Sequence, residues 1–261
     1  MDENLILREE LEPGIVRLTF NRPEKLNALS TPMIRLFSDH LEQIEGDASV
    51  RVVILAGAGG KAFVAGADIA EYRGNRHKEF VAYQLESRQV FDRLEALSKP
   101  VIAAIDGYAL GGGFEIALCC DTIICSRSAR LGLPEGLLGL SPGGGGTQRL
   151  TRAVGRYVAS DIMLGAWRIS GERAHQLGIA VEICDSEALF DVVLQRARGM
   201  LKCAPQAQVL MKRLIRQGGD AALPVAQSLE QEYLFRLYQT DDAQEGIDAF
   251  LDKRAPDFRG I

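Results

Sequence analysis

Pro100-Val101-Ile102-Ala103-Ala104-Ile105-Asp106-Gly107-Tyr108-Ala109-Leu110-Gly111-Gly112-Gly113-Phe114-Glu115 runs from a short, continuously apolar segment into three glycines and then an apolar stretch reaching Ala117. An unbroken apolar run of strand length predicts a buried strand (Pro100 to Ile105), and the glycines open a helix. The same order recurs on both sides. Upstream, Val50 to Ala56 reads as a strand buried on both faces, Gly57, Gly59 and Gly60 form a loop, Phe63 to Asp68 follows, and Gln84 to Leu97 is helical. Downstream, Thr122 to Cys125 is strand-like and Gly143 to Gly146 precede another helix. Three strand–glycine loop–helix units thus fall between about residues 46 and 155, a cadence of structure without repetition of sequence.

The flanks differ from this centre. Leu5 to Leu7, the turn Glu12-Pro13-Gly14 and Ile15 to Phe20 predict a hairpin. Thr31-Pro32 reads as an N-cap with proline at the first helical position, followed by Leu36, Phe37, Leu41 and Ile44 at helical spacing. Beyond Asp185 nearly everything is helical: Glu187 to Lys202, Pro205 to Gln217, Pro224 to Tyr238 and Asp242 to Lys253. The expected organisation is an α/β core over residues 1–200 and a helical C-terminal region over 201–261.

Composition excludes several classes. With 47% hydrophobic and 25% charged residues, the 261-residue chain is ordinary globular material. A net charge of −5 gives no electrostatic reason to expect nucleic acid as partner. No window approaches the roughly eighteen apolar residues that span a bilayer. The start Met1-Asp2-Glu3-Asn4 is too polar for a signal peptide, and five cysteines without metal spacing read as buried thiols in a reducing compartment. A cytoplasmic protein is expected.

Two motif matches fail on their own chemistry. Gly139-Leu140-Ser141-Pro142-Gly143 fits the nucleophile-elbow pattern, but Pro142 has no N–H to give an oxyanion hole. Gly57-Ala58-Gly59-Gly60-Lys61-Ala62 fits a loose dinucleotide fingerprint, yet no helix follows and the position of the ribose acid holds Ala82. His40, His77 and His175 are scattered, so no metal site is expected.

Two glycine turns and two glutamates remain. Three glycines before a helix are entropically costly, and close approach of a ligand to the free N–H groups at the helix start is one reason to keep them; a packing crossover is the other. Glu115 follows Gly112 by about one helical turn. Glu135, in Leu131-Gly132-Leu133-Pro134-Glu135, stands in apolar surroundings, where a carboxyl is either turned to solvent or held in a site. In Phe63-Val64-Ala65-Gly66-Ala67-Asp68-Ile69, Asp68 is a candidate N-cap and the N–H of Ala67 a second free donor.

Ala65-Gly66-Ala67-Asp68-Ile69, Asp106 to Glu115, Leu133-Pro134-Glu135 and Pro142 to Leu150, in this order and spacing, closely resemble the enoyl-CoA hydratase (crotonase) family. Asn21-Arg22-Pro23 with Asn27-Ala28-Leu29, and Glu245-Gly246-Ile247 with Ala249 to Leu251, extend the resemblance over essentially the whole chain. It implies a crotonase-type spiral of ββα repeats with a C-terminal helical trimerisation region. It implies that the N–H groups of Ala67 and Gly112 hold a thioester carbonyl, and that Glu115 and Glu135 bracket a catalytic water. Leu26, Ala28, Ala65, Asp68, Ile69, Ala70 and Gly143 would border the coenzyme A thioester.

Ala70 departs from the lysine of many relatives, and Ser141 from a more usual apolar residue. The segment Glu71 to Arg93 carries no family motif and is expected to border the acyl pocket. The expected activity is hydration of an enoyl-CoA, with isomerisation or a specialised acyl-CoA as the alternative and RNA binding on the same fold as the reading from another class. No cofactor is expected, coenzyme A being part of the substrate, and the expected partner is a second and third copy of the chain, as a trimer or dimer of trimers. Leu229, Tyr233, Leu234 and Leu237 offer an apolar face for such an interface or for the chain's own core.

Overall fold

The computed structural model describes residues 3–74 and 76–260. The polar start read at Met1 and Asp2 lies outside them. A hairpin of β1 (Ile6–Glu12) and β2 (Ile15–Phe20) leads into α1 (Thr31–Gly46). Three ββα turns follow: β3 (Val52–Gly57), β4 (Ala62–Val64) and α2 (His77–Ala96); β5 (Val101–Ile105), β6 (Tyr108–Leu110) and α3 (Gly112–Leu118); β7 (Thr122–Ser126), β8 (Arg130–Gly132) and α4 (Gly146–Val154). Next come α5 (Arg156–Leu164), β9 (Ile169–Ser170), α6 (Gly171–Gln176), β10 (Glu182–Cys184), α7 (Leu189–Leu201), α8 (Pro205–Gly218), α9 (Leu223–Tyr238) and α10 (Asp241–Leu251).

The first strand of each turn joins one sheet, ordered β1-β2-β3-β5-β7-β10, in which β2, β3, β5, β7 and β10 run parallel. The second strand joins a smaller sheet, β4-β6-β8-β9. This explains the continuous apolar runs. Every residue of β5 is buried because one face meets the main core around Phe37, Phe63 and Phe114 while the other meets Leu189, Val193 and Ala197 of α7. The segments that follow β4, β6 and β8 gather beside the smaller sheet and supply the functional groups below.

Three sequence expectations need correction. The cap of α1 is Ser30, not Thr31, and its side chain makes no capping bond. Glu71 caps the helix from outside instead: its carboxylate accepts the Thr31 N–H at 3.1 Å and the Thr31 hydroxyl at 2.6 Å. Of the five thiols only Cys119 and Cys125 are buried, Cys120 and Cys184 are partly so, and Cys203 is exposed. Helix α2 begins at His77, seven residues before the apolar pattern does, because its first turns are largely solvated. Among the described residues no helix is long and apolar enough to cross a membrane, and no group of three or more His, Cys, Asp or Glu side chains could hold a metal ion.

Candidate active site

Gly111, at φ +50°, turns the chain from β6 into α3 in a backbone conformation that favours glycine. Gly113 packs so closely on β4 that a Cβ there would meet the Val64 carbonyl oxygen at 2.0 Å. This contact brings the start of α3 beside the segment leaving β4. The Gly112 N–H stands at the first position of α3, where no intrahelical acceptor exists. The Ala67 N–H lies between two bonds that hold its neighbours: Leu29 N–H donates to Gly66 O and Asp68 N–H to Leu29 O, both at 2.8 Å. Among the described residues neither amide has a protein acceptor, and both residues line one cavity of about 390 Å³.

The Ala67 amide is fixed by a network that starts well upstream. Leu26 and Asn27 are left-handed (φ 51° and 58°), a strained pair for residues with side chains. Asn27, fully buried, holds that turn: its Oδ1 accepts the Arg22 N–H and its Nδ2 donates to the carbonyls of Ala58 and Ala62. Arg22 donates to Ala28 O at 2.8 Å and to the Asp68 carboxylate at 3.0 Å. Asp68 in turn caps the short turn Ile69–Tyr72 by accepting the Ala70 N–H.

Glu115 is 4% exposed on the first turn of α3. One carboxylate oxygen, Oε1, accepts the N–H groups of Gly144 and Gly146, each at 2.8 Å. The glycine run thus serves as a two-donor clamp, and Arg149 secures it by donating to Gly144 O at 2.7 Å while paired with Glu95 and Asp92. Burial holds the Glu115 carboxyl above the ordinary carboxylate range, the two amides and Arg149 offsetting only part of the rise.

Glu135 opens the turn Glu135–Leu138, with Pro134 before it. Its carboxyl faces Gly111, where an added Cβ would lie 3.2 Å from Oε1, and its Oε2 is buried without a partner among the described residues. Burial raises this carboxyl to about 7, with the neighbouring negative charge of Glu115 adding to the rise. Both acids line the same cavity as the two free amides.

Of the other residues singled out from sequence, Ala65, Ile69 and Gly143 also line this cavity. Leu26, Ala28 and Asp68 do not line it but belong to the Arg22–Asn27 network, Leu26 being exposed, and Ala70 borders two adjoining clefts. The segment without a motif supplies Tyr72, Phe80, Tyr83, Gln84, Ser87 and Phe91 to the wall. Arg22, Asn27 and Arg149 stood within quoted motifs, but their roles depend on partners up to 57 residues away.

Residues 10–260 match the family model described as Enoyl-CoA hydratase/isomerase. The chain is 38% identical over 261 residues to a 2,3-dehydroadipyl-CoA hydratase of Escherichia coli (strain K12), covering 100% of both. It is 39% identical over 251 residues to a short-chain-enoyl-CoA hydratase of Clostridium acetobutylicum, covering 96% of this chain and 95% of that one. The crystal structure of an enoyl-CoA hydratase from Bacillus anthracis superposes with a TM-score of 0.96 at 36% identity, over 98% of this chain and all of the other. The chain belongs to the enoyl-CoA hydratase/isomerase family.

Proposed function

We propose that this chain adds water reversibly across the α,β double bond of an enoyl-CoA thioester to give a 3-hydroxyacyl-CoA. The observation that carries the reading is the pairing, in one cavity, of two unpartnered backbone amides with two carboxyls of unequal environment. Addition of water to the β-carbon pushes charge onto the thioester oxygen. The N–H groups of Ala67 and Gly112 stabilise that oxygen, and loss of one such donor costs on the order of a hundredfold or more in rate.

Glu115 has one oxygen committed to Gly144 and Gly146 and its Oε2 left for a water. It accepts a proton as the water oxygen bonds to the β-carbon. Glu135, which titrates near 7, gives its proton to the α-carbon. The pair ends with the same total charge, the proton moved from one acid to the other, and dehydration runs the steps backwards. Leu26, Ala28, Ala65, Asp68, Ile69, Ala70 and Gly143 border the thioester and its coenzyme A. No resident cofactor enters these steps.

Retention of both acids favours hydration over isomerisation. Of the α9 face read from sequence, Leu234 is exposed and Leu229, Tyr233 and Leu237 are half-buried; with the exposed Leu223, Val225 and Phe235 they support assembly into a trimer or a dimer of trimers, and a cytoplasmic place in acyl-CoA degradation accords with the substrate. Loss of enoyl-thioester absorbance with crotonyl-CoA tests the activity. Turnover is expected, and no loss with any short or medium chain overturns the reading.

A further inference from the structure

We infer that the acyl end of this cavity selects short enoyl-CoA thioesters whose chain ends in an uncharged hydrogen-bonding group, a hydroxyl being the simplest, over alkyl-ended and carboxylate-ended chains of equal length. The inference rests on the hydratase reading and concerns the wall formed by one face of α2. Phe91, Ser87 and Gln84 mark successive levels of that wall. Phe91 lies nearest the chemistry, its ring against Gly144 and within 4.0 Å of where a Gly112 Cβ would stand. At about 1.5 Å per residue, Ser87 lies about 6 Å and Gln84 about 10 Å further along the helix axis. Ser87 and Gln84 are thus the polar positions of that wall, and Phe80, about one turn further along α2, is apolar again.

Gln84 bars the cavity at its polar level. Its Nε2 donates to the Tyr72 hydroxyl at 3.1 Å, and its Oε1 packs on Gly143 so tightly that an added Cβ there would lie 2.3 Å away. Among the described residues that Oε1 accepts no hydrogen bond. Ser87 is 5% exposed, and its hydroxyl has no hydrogen-bond partner among the described residues. The nearby Tyr83 hydroxyl spends its proton on Leu29 O at 3.2 Å, so toward Ser87 it can only accept.

A buried hydroxyl left unsatisfied is costly, and an alkyl tail leaves Ser87 so while covering the half-exposed amide oxygen of Gln84 without offering it a donor. A tail hydroxyl supplies both a donor for Gln84 Oε1 and an acceptor for Ser87. A carboxylate tail meets a different obstacle. Among the described residues no Lys, Arg or His lines the cavity, while Glu115 and Glu135 both do. A second negative charge would be buried without a counterion beside two acids.

The test compares kcat/KM for crotonyl-CoA, trans-hexenoyl-CoA and the ω-hydroxy and ω-carboxylate analogues of hexenoyl-CoA, in the wild type, Gln84→Leu and Ser87→Ala. In the wild type the ω-hydroxy analogue is expected to exceed hexenoyl-CoA by about three- to tenfold, the worth of a neutral buried hydrogen bond, and the ω-carboxylate analogue to fall at least about tenfold below it. The hydroxyl preference should shrink to near unity or reverse in Gln84→Leu and fall in Ser87→Ala. A wild type that turns over hexenoyl-CoA as well as the ω-hydroxy analogue, or favours the carboxylate, overturns the inference alone, as does a preference that survives in both variants. No turnover of any of the four thioesters overturns the hydratase reading and the inference together.

Discussion

Replacing Glu135 by Gln should stabilise the protein in alkaline solution and leave it nearly unchanged in acid. The carboxyl titrates near 7 in the folded chain against an ordinary value of 4.5, chiefly because it is buried. Between these values the folded state binds more protons than the unfolded one, so stability falls as pH rises through that window. Each pH step costs about 1.36 kcal/mol, about 3 kcal/mol over the full interval, and partial contact with solvent reduces this to about 2 kcal/mol. Glu135→Gln removes the titration while keeping the shape. Urea unfolding of both proteins at equal concentration should therefore give a gap about 2 kcal/mol larger at pH 8 than at pH 5, an increase of about 3–6 °C in melting temperature. Equal gaps at the two pH values would refute the claim that burial holds this carboxyl out of its ordinary range.

Two further outcomes follow from the geometry. The value of kcat/KM should fall above about pH 7, where Glu135 loses its proton, and it should do so in hydration and dehydration alike, because the active pair carries one proton in both directions; a plateau to high pH in steady-state assays would contradict a shared proton. Gly144→Ala would press a Cβ to 2.4 Å from the Phe91 ring and 2.9 Å from Glu115 Oε2. Its displaced clamp should lower kcat by about a hundredfold, the scale of a 1 Å misplacement, with a smaller change in KM, as measured with crotonyl-CoA.

The parts legible in the sequence were those with local causes. Val101 to Ile105 reads as a doubly covered strand because the run is apolar without interruption, and the start of α3 is visible in its glycines. Glu135 was ambiguous from its neighbours alone, since Leu137, Leu138 and Leu140 around it are exposed, the last two at the cavity, and not part of a core. Thr31 misled because its real capping partner, Glu71, is 40 positions away. The Arg22–Asp68 pair, 46 positions apart, was hidden for the same reason; Arg149 and Gly144 are only five apart, but their contact gains its meaning from Glu115, 29 positions before Gly144. The wall from Tyr72 to Phe91 was locatable only as the segment left without a motif.

The most direct test of the account is a double-mutant cycle on crotonyl-CoA hydration with Glu115→Gln, Glu135→Gln and the combined variant. Two acids that pass one proton across one water act as a unit, so each single change should cost about 10²–10⁴ in kcat and the combination little more than the worse single. Losses that multiply, or a single variant with an unchanged rate, would contradict it.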